Sequence, residues 1–423
     1  MGPSFYFRTS RDGFLGTCCD ISEKTKVRGS SLFDCGVYGG NRSRSTDSGR
    51  YSLCKVTFLD KHELWDNGQR VESSGMHASN FIWQLEEGSE PVTRKIVVQI
   101  QRNELSAFLE PDAWEKLQQL GELVVNPFDR PFTAEELESH LEDASACIST
   151  WGSSSITKEM LESATKLELV AHMAGSVKHV IAAEAFDRGI TVLSGGHAIA
   201  QSVAESIVAL ILAVGHRIKL VDESMRGNVS WKSPAMEADE LRGKTVGFIA
   251  LGMVAQEVIR LLQPFQVKFI AYDPYMKSEK AAALGVELLP LHDVLTRAQI
   301  VSLHLPMIPE TDHMIGREEL RLLQDDCLLI NTSRGSVIHE EALIGELRTN
   351  RFFAALDVFE QEPLPLGSEL RRLPNVLVRP HIAGVNPSSR MRIGRALVED
   401  MHRYFNGEPI EHGVSKARLA LMT

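Results

Sequence analysis

The stretch TVGFIALGMVAQEVIRLL (245–262) decides the fold, and we interpret it as a strand, a tight turn and a helix in direct succession. Gly252 lies in the turn, where the backbone must approach a phosphate closely. The first turn of the following helix, with Met253 and Val254, offers unpaired N–H groups and a favourable dipole to phosphate oxygens. This unit therefore predicts the pyrophosphate site of a dinucleotide-binding α/β domain.

A carboxylate stands at the distance that such a site requires. Asp273 follows Gly252 by 21 residues and ends the next predicted strand, KFIAY (268–272). At this spacing a carboxylate accepts hydrogen bonds from both ribose hydroxyls of NAD, and it would repel the 2′-phosphate of NADP. The spacing therefore predicts NAD, rather than NADP, as the cofactor.

The glycine pattern departs from the full G-x-G-x-x-G fingerprint at two positions. Ala250 and Ala255 occupy the first and third glycine places. The third place only needs a small residue for packing of the helix against the strand, so alanine is tolerated there. Ala250 is harmless where its φ is negative, and it costs about 1 kcal/mol or more where its φ is positive.

Predicted strands and helices alternate from Lys95 onward in two sets. Such alternation predicts parallel sheets that are covered by helices on both faces. The helix over 202–214 is apolar almost all round, which is typical of a helix buried between domains or subunits. Other helices are predicted over 110–119, 181–188 and 387–405, and Thr133 and Glu136 have the spacing of a capping box. The predicted strands are KIVVQI (95–100), LELVAHMA (167–174) and ITVLS (190–194), then TVGFIAL (245–251), KFIAY (268–272), IVSLHL (300–305), CLLIN (327–331), FAALDV (353–358) and VLVRP (376–380).

Residues 1–94 differ from this pattern, because Ser, Gly, Arg and Asn dominate stretches such as GGNRSRSTDSGRY (39–51). Such a composition buries too little apolar surface to offset the entropy of ordering, so we expect a poorly ordered extension. Three interpretations of this extension are open: a targeting segment, a lineage-specific tail and an over-extended translation start.

The composition limits the classes of partner. A net charge of −11 over 423 residues argues against a general nucleic-acid or anionic-membrane surface. The longest apolar run, 207–214, is far shorter than the ~20 residues that span a bilayer, so no membrane segment is expected. The six cysteines lack a zinc-binding spacing. We therefore expect reduced thiols, no metal site and a cytoplasmic protein.

Three charged or titratable side chains follow the ends of later strands, where an open parallel sheet binds its ligands. A guanidinium can bind a carboxylate at two points, and an imidazole can take up and return a hydroxyl proton. A carboxylate beside that imidazole stabilises its cation and orients the ring. This constellation predicts hydride transfer to or from a 2-hydroxy acid. The residues are Arg334 in NTSRG (331–335), Glu362 in DVFEQEP (357–363) and His381 in RPHIAG (379–384).

These motifs resemble the D-2-hydroxyacid dehydrogenase family, which includes phosphoglycerate, glyoxylate/hydroxypyruvate and D-lactate dehydrogenases. The resemblance covers about residues 95–407 and is carried by LRGKTVGFIALG (241–252), AYDPY (271–275), IVSLHLPMIPETDHMIG (300–316), LLINTSRGSVIHEEAL (328–343), ALDVFEQEP (355–363) and VRPHIAG (378–384).

The resemblance implies two Rossmann-like domains and homodimers. A flavodoxin-like substrate domain would comprise 95–199 and 384–410, with an NAD-binding domain over 200–383 inserted between them. Arg334 would bind the substrate carboxylate, and His381 would act as acid and base with Glu362 as its partner. By the same resemblance, the cofactor would be lined by Leu305, Pro306, Thr311, Thr332, Ser333 and Asp357.

The substrate loop AHMAGSVKHV (171–180) departs from the family's usual G-x-G-x-D pattern. Ala174, Ser176 and Lys178 occupy those three places, and Ile199 stands where an asparagine is common. Family members bind the substrate carboxylate with backbone N–H groups of this loop. Because this loop departs from the usual pattern, the sequence leaves the particular acid open. The residues expected to bind substrate through the loop are Gly175, Ser176 and Val177.

Two other functions are kept as alternatives to an active dehydrogenase. One is an NAD-binding, catalytically weak scaffold that resembles the C-terminal binding protein co-repressors, which have the same fold. The unusual loop, the altered glycines and the extension over 1–94 motivate it. The other is a dehydrogenase that has lost cofactor binding because Ala250 distorts the turn.

Overall fold

The computed structural model describes residues 65–66, 69–70, 94–227, 231–419 and 422. The chain divides into two units, Met1–Ser89 and Glu90–Thr423. In the first unit, strand β1 (Trp65–Asp66) pairs with strand β2 (Gln69–Arg70) in antiparallel orientation. The rest of the extension predicted over 1–94, apart from Arg94, lies outside the described residues, and its disorder stays a prediction.

The second unit begins with a five-stranded parallel sheet in the spatial order β4-β3-β5-β6-β7. This is the 2-1-3-4-5 order of flavodoxin-like folds, as predicted. Alternate residues of β3 enter different hydrophobic cores, with Ile96 and Val98 on one face and Val97 on the other. Both faces are therefore buried, as a parallel sheet requires. The strands are β3 (Lys95–Val98), β4 (Glu122–Val125), β5 (Ala146–Ser149), β6 (Leu169–His172) and β7 (Thr191–Ser194).

The helices of this first lobe connect its strands. Thr133 caps α3, because its hydroxyl accepts from the N–H of Glu136 while the Glu136 carboxylate accepts from the N–H of Thr133, and this confirms the predicted capping box. The helices are α1 (Leu105–Phe108), α2 (Pro111–Leu120), α3 (Ala134–Leu141), α4 (Lys158–Ser163) and α5 (Glu184–Asp187).

Helix α6 (Gly196–Gly215) and helix α7 (Ile218–Arg226) follow the first sheet. By length and composition alone, α6 could cross a membrane, with a mean hydropathy of 1.9. It instead packs in the protein, since Val203, Ile207 and Ile211 belong to the core of the following lobe. The predicted domain boundary at 199 falls inside this helix and stays a prediction.

The second lobe is a seven-stranded parallel sheet in the order β10-β9-β8-β11-β12-β13-β14. This is the 3-2-1-4-5-6 Rossmann order with one further strand, as predicted. Its strands are β8 (Thr245–Ile249), β9 (Lys268–Tyr272), β10 (Val286–Leu288), β11 (Ile300–Leu303), β12 (Leu328–Asn331), β13 (Phe353–Leu356) and β14 (Val376–Val378). Its helices are α8 (Met253–Leu262), α9 (Ser278–Ala283), α10 (Leu291–Arg297), α11 (Arg317–Leu322) and α12 (Glu340–Leu347).

After β14 the chain returns to the first lobe. Helix α13 (Pro387–Phe405) buries Ile393, Leu397 and Met401 in the core of the first sheet. The short helix α14 (Lys416–Leu419) follows near the end of the chain. The Rossmann lobe is therefore inserted into the flavodoxin-like lobe, as the resemblance implies.

The predicted helix over 181–188 is wrong in its first part. Ile181 forms a parallel bridge with Ile156, and the N–H of Ala182 donates to the carbonyl of Ile156 at 2.9 Å. This tertiary pairing overrides the helical pattern until Glu184. Strands β4, β5 and β10 lie outside the predicted strands.

Candidate active site

The dinucleotide turn lies between β8 and α8, and Ala250 is its strained residue. Ala250 has φ 73°, in the left-handed region, and its N–H donates to the carbonyl of Tyr272 at 2.8 Å. The first glycine place of the fingerprint therefore keeps the conformation of a glycine while carrying a Cβ atom. This strain costs about 1 kcal/mol or more.

The start of α8 has the space and the donors for a pyrophosphate. A Cβ atom added to Gly252 would meet no atom within 4 Å. Within the described part of the chain, no group accepts a hydrogen bond from the N–H of Gly252, Met253 or Val254, and the helix has no side-chain cap. The predicted phosphate-binding residues thus meet at an open, uncapped helix N-terminus.

Asp273 lies at the end of β9 and ties this turn to the next loop. Its Oδ2 accepts from the N–H of Leu251 at 2.8 Å, and its Oδ1 accepts from the N–H groups of Tyr275 and Met276 at 2.8 and 3.0 Å. An ionised carboxylate has about four acceptor positions, so capacity for a ribose hydroxyl remains. The predicted ribose ligand is therefore beside the predicted pyrophosphate site and also supports the turn.

The residues predicted to line the cofactor differ in their availability. The Thr332 hydroxyl is buried and has no hydrogen-bond partner in the described residues, so it could serve a ligand. Ser333 is engaged, because its N–H and hydroxyl both bond to Oδ1 of Asn331. With the open turn at Gly252 and the carboxylate of Asp273, the unpartnered Thr332 hydroxyl makes this a set of residues that fits NAD.

The loop after β11 contributes mainly support. Leu305 is buried in the core of the second lobe. Thr311 is also buried, and its hydroxyl lies 2.5 Å from the carbonyl oxygen of Pro306 and 3.2 Å from the nitrogen of Ile308. The side chain of Thr311 thus closes the loop that presents the half-buried Pro306. Direct contact of these three residues with the cofactor stays a prediction.

Arg334 follows β12 and lies close to the loop that carries Glu362. The Asn331 amide donates to the carbonyl of Arg334 at 2.9 Å, and Arg334 Nη1 donates to the carbonyl of Ser333 at 2.6 Å. Burial lowers the pKa of Arg334 below its ordinary value, and the charge of Glu362 opposes this effect. A guanidinium remains a cation at neutral pH, so the site keeps a positive charge beside Glu362.

The side chains of His381 and Glu362 lie within ion-pair distance, at the edge where the parallel strands end. His381 Nδ1 lies 2.7 Å from Oε2 of Glu362, whose Oε1 accepts from the N–H of Phe359 at 3.1 Å. The imidazole side chain is 46% exposed, and His381 has φ 54°. Because Nδ1 faces the carboxylate, Nε2 is left to exchange a proton with a bound molecule.

Asp357 positions the His381 loop, a role that the sequence motif did not indicate. It is 1% exposed, and its two carboxylate oxygens accept from the N–H groups of Ile382 and Ala383 at 3.1 and 2.8 Å. Arg379 lies 3.8 Å from the same carboxylate. The carboxylate therefore holds the turn that sets the imidazole. An aspartate directly after a predicted strand was the available signal.

The substrate loop presents free donors. None of the described groups accepts a hydrogen bond from the N–H of Gly175, Ser176 or Val177. The carbonyl of Gly175 is held by the Ser194 hydroxyl at 2.5 Å. Ile199 contacts both sides of this region, because it lies 3.6 Å from a Cβ atom built at Gly175 and 2.7 Å from one built at Gly384. The three predicted donors are thus unpaired, beside an apolar isoleucine.

Comparisons with known proteins identify the family. Residues 208–383 match the family model described as D-isomer specific 2-hydroxyacid dehydrogenase, NAD binding domain. The chain is 33% identical over 309 residues to a D-3-phosphoglycerate dehydrogenase of Methanocaldococcus jannaschii, covering 73% of this chain and 58% of that protein. It is 34% identical over 257 residues to a glyoxylate reductase of Korarchaeum cryptofilum, covering 60% of this chain and 77% of that protein.

The solved structures show the same architecture. The crystal structure of the TT0316 protein from Thermus thermophilus is similar with a TM-score of 0.63 and 29% sequence identity, covering 76% of this chain and 99% of that chain. The chain spans little more than half the length of the phosphoglycerate dehydrogenase relative. The matching domain model confirms NAD as the cofactor. The chain belongs to the D-isomer specific 2-hydroxyacid dehydrogenase family.

Proposed function

We propose that this protein transfers a hydride between NAD(H) and a small 2-hydroxy or 2-keto acid, with His381 as the acid and base. The observation that carries the proposal is the 2.7 Å contact between His381 Nδ1 and Glu362 Oε2. An imidazole oriented in this way, at the edge where the cofactor binds, is suited to proton exchange with a hydroxyl or carbonyl oxygen.

His381 moves the proton in this proposal. In the oxidation direction, Nε2 removes the proton of the substrate hydroxyl while a hydride leaves the carbon atom that carries this hydroxyl. Bound NAD supplies the hydride acceptor. In reduction, protonated Nε2 returns the proton to the carbonyl oxygen, so protons and electrons balance in both directions.

Glu362 orients His381 and stabilises its cation. Its Oε2 accepts from Nδ1–H, which leaves the Nε2 lone pair directed away from the carboxylate when the ring is neutral. The N–H of Phe359 holds the other oxygen, so the carboxylate is anchored by the backbone. The side chain of Glu362 therefore acts through His381, as a positioning residue.

Arg334 and the substrate loop bind the acid group. A guanidinium binds a carboxylate at two points, and the unpaired N–H groups of Gly175, Ser176 and Val177 supply further donors from the other lobe. Together they would fix the carboxylate so that the adjacent carbon faces His381. Since Ile199 adds an apolar contact beside these donors, we leave the particular acid open.

A homodimer is the assembly that we propose. Helix α7 has no buried residue and exposes Ile218, Leu220 and Met225, and Trp231 beyond it is 75% exposed. Exposed apolar patches of this kind mark interaction surfaces. Light scattering on the purified protein measures the assembly directly, and a monomer at micromolar concentration contradicts it.

We also propose a cytoplasmic location. Fluorescence microscopy of the full chain tagged at its C-terminus tests it. Accumulation of the fluorescence in an organelle would contradict a cytoplasmic location and favour the targeting interpretation of the extension.

A substrate panel tests the proposed function. The purified full chain is mixed with NADH and with hydroxypyruvate, glyoxylate or branched 2-keto acids, and NADH absorbance is followed. We expect oxidation of NADH with at least one acid. Saturable NADH binding without turnover of any acid contradicts the proposal. In that case, NAD-dependent recovery of transcription factors in a pull-down would favour the co-repressor-like alternative.

A further inference from the structure

The C-terminal tail, defined here as residues 410–419 and 422, docks on the first lobe. The N–H of Ser194 donates to the carbonyl of His412 at 3.0 Å, and the N–H of Val414 donates to the carbonyl of Val192 at 2.8 Å. Leu419 packs against the core of the first sheet. The tail is thus attached to the edge of β7 by backbone bonds and apolar contacts.

This docking brings Arg418 to the second lobe. Arg418 Nη2 lies 2.7 Å from the sulfur of Met253, the first residue of α8. The two side chains line a cavity of about 270 Å³ that is also bordered by Gly196, His197 and His412. A guanidinium carried by the substrate lobe therefore reaches the helix N-terminus at which the NAD pyrophosphate is expected.

Arg418 is the cation at this cavity that has no carboxylate partner among the described residues. Glu411 is the carboxylate among the lining residues, and it lies 2.6 Å from Nη1 of Arg403, which also contacts Asp400 at 3.2 Å. Arg418 forms no ion pair with a described carboxylate, and its partner, the Met253 thioether, is a weak acceptor. Arg418 is also exposed. Its donors can therefore turn to a stronger acceptor at small cost.

We infer that Arg418 is a ligand of the NAD pyrophosphate, donating to its oxygens across the cleft while the N–H groups at the start of α8 donate from below. The inference adds a residue to the cofactor side of the proposed function and rests on that function only through the NAD site. It also gives the tail a role, because bound cofactor would join the tail and the Rossmann lobe through one side chain.

Charge-assisted hydrogen bonds are about twice as strong as neutral ones, and loss of one weakens binding by roughly tenfold or more. The test measures Kd for NADH and for ADP-ribose by fluorescence and calorimetry on the full-length protein. The variants are Arg418→Gln, Arg418→Lys and the control Arg372→Gln. Arg372 is exposed and precedes β14, which is four positions from β8 in the sheet, so Arg372→Gln removes the same charge away from the cofactor turn.

We expect Arg418→Gln to raise Kd for both ligands about tenfold and to reduce the salt dependence of Kd. Arg418→Lys should recover part of the affinity, and Arg372→Gln should leave it unchanged. An unchanged Kd in Arg418→Gln overturns the inference, as does an equal loss in Arg372→Gln. Tighter binding by Arg418→Gln would also overturn it, because Arg418 would then compete with the cofactor.

The outcome is separate from that of the substrate panel. Binding that depends on Arg418, together with no turnover of any keto acid, supports the inference and contradicts the proposed dehydrogenase activity. Turnover of a keto acid, together with Kd values that stay unchanged in Arg418→Gln, contradicts the inference and supports the proposed dehydrogenase activity. Wild-type protein that binds neither NADH nor ADP-ribose contradicts the inference outright.

Discussion

Gly335 approaches the backbone of Phe359 so closely that a Cβ atom at Gly335 would lie 1.9 Å from the carbonyl carbon of Phe359. The same Cβ atom would lie 2.4 Å from the nitrogen of Glu360. This contact joins the loop of Arg334 to the loop of Glu362, and the N–H of Phe359 holds the Glu362 carboxylate. The relative position of the two charged side chains thus depends on a residue without a side chain.

Gly335→Ala should therefore damage the site. The backbone of one loop must move, which we expect to lower the free energy of unfolding by about 1–3 kcal/mol and to lower kcat/KM by about 100-fold. Urea unfolding and steady-state kinetics measure the two effects. Gly345→Ala is the control, because a Cβ atom there meets no atom within 4 Å in helix α12. Wild-type kcat/KM in Gly335→Ala would show that the contact does not set the site.

His381→Ala should lower kcat strongly and leave cofactor binding intact. Loss of a general acid and base lowers kcat by roughly 10²–10⁴-fold, while Kd for NADH should stay within about twofold, because the dinucleotide turn lies on other strands. Stopped-flow kinetics and NADH fluorescence measure the two quantities. His402→Ala, near the far end of α13, is the control. Comparable losses of kcat and NADH affinity would argue that His381 has a structural role instead.

Asp273→Ser should relax the preference for NAD. The carboxylate that would repel a 2′-phosphate is removed, so we expect the ratio of kcat/KM for NADPH to that for NADH to rise about tenfold or more. Some stability is also lost, because Asp273 accepts from the N–H of Leu251. Asp325→Ser, an exposed aspartate before β12, controls for net charge. A ratio unchanged from wild type would place Asp273 away from the ribose.

His172 should make the protein acid-sensitive. The side chain is 2% exposed, its Nδ1 lies 3.0 Å from the hydroxyl of Ser149, and burial lowers the pKa of His172 to about 4. Between an unfolded pKa of about 6.5 and this value, the unfolded chain binds a proton that the folded protein does not. The neutral His172 side chain therefore makes its full contribution to the free energy of unfolding above the unfolded pKa. This contribution falls as the pH is lowered from about 6.5 to about 4.

His172→Gln should lower the slope of the free energy of unfolding against pH by about 1.4 kcal/mol per pH unit within the window, which corresponds to about one proton. Urea unfolding at several pH values between 6.5 and 4 gives the slope. Because glutamine does not titrate, the difference between the slopes of wild type and variant reports on His172 alone. An identical slope for the two proteins would show that His172 is protonated in the folded protein.

Local patterns account for most of what could be predicted. The strand, turn and helix around Gly252 are contiguous, and Asp273 comes at the end of the next strand because one α/β unit has a nearly constant length. Arg334, Glu362 and His381 follow three neighbouring strands of a parallel sheet, and parallel strands end at one edge. Their proximity therefore follows from order along the chain.

What could not be predicted depends on contacts between distant segments. The bond between Arg418 and Met253 joins residues 165 positions apart, and no local period indicates it. The burial of Asp357 depends on the turn at Ile382 and Ala383, so a carboxylate that looked like a cofactor contact also fixes the imidazole loop. Ala250 combines a positive φ with a bond from its N–H to the carbonyl of Tyr272, which lies on the neighbouring strand.

Ala250→Gly should stabilise the protein. Ala250 has φ 73°, and removal of its Cβ atom relieves the strain of the left-handed conformation, which outweighs the entropy that glycine gains in the unfolded chain. We expect the free energy of unfolding to rise by roughly 1 kcal/mol, measured by urea unfolding. Ala255→Gly is the matched control with the opposite sign, because a buried helical alanine loses about 1 kcal/mol on this change. NADH affinity should be retained or improved in Ala250→Gly, since the turn keeps its conformation. A loss of stability in Ala250→Gly would mean that the alanine is unstrained, and the alternative of a cofactor turn distorted by Ala250 would then lose its physical basis.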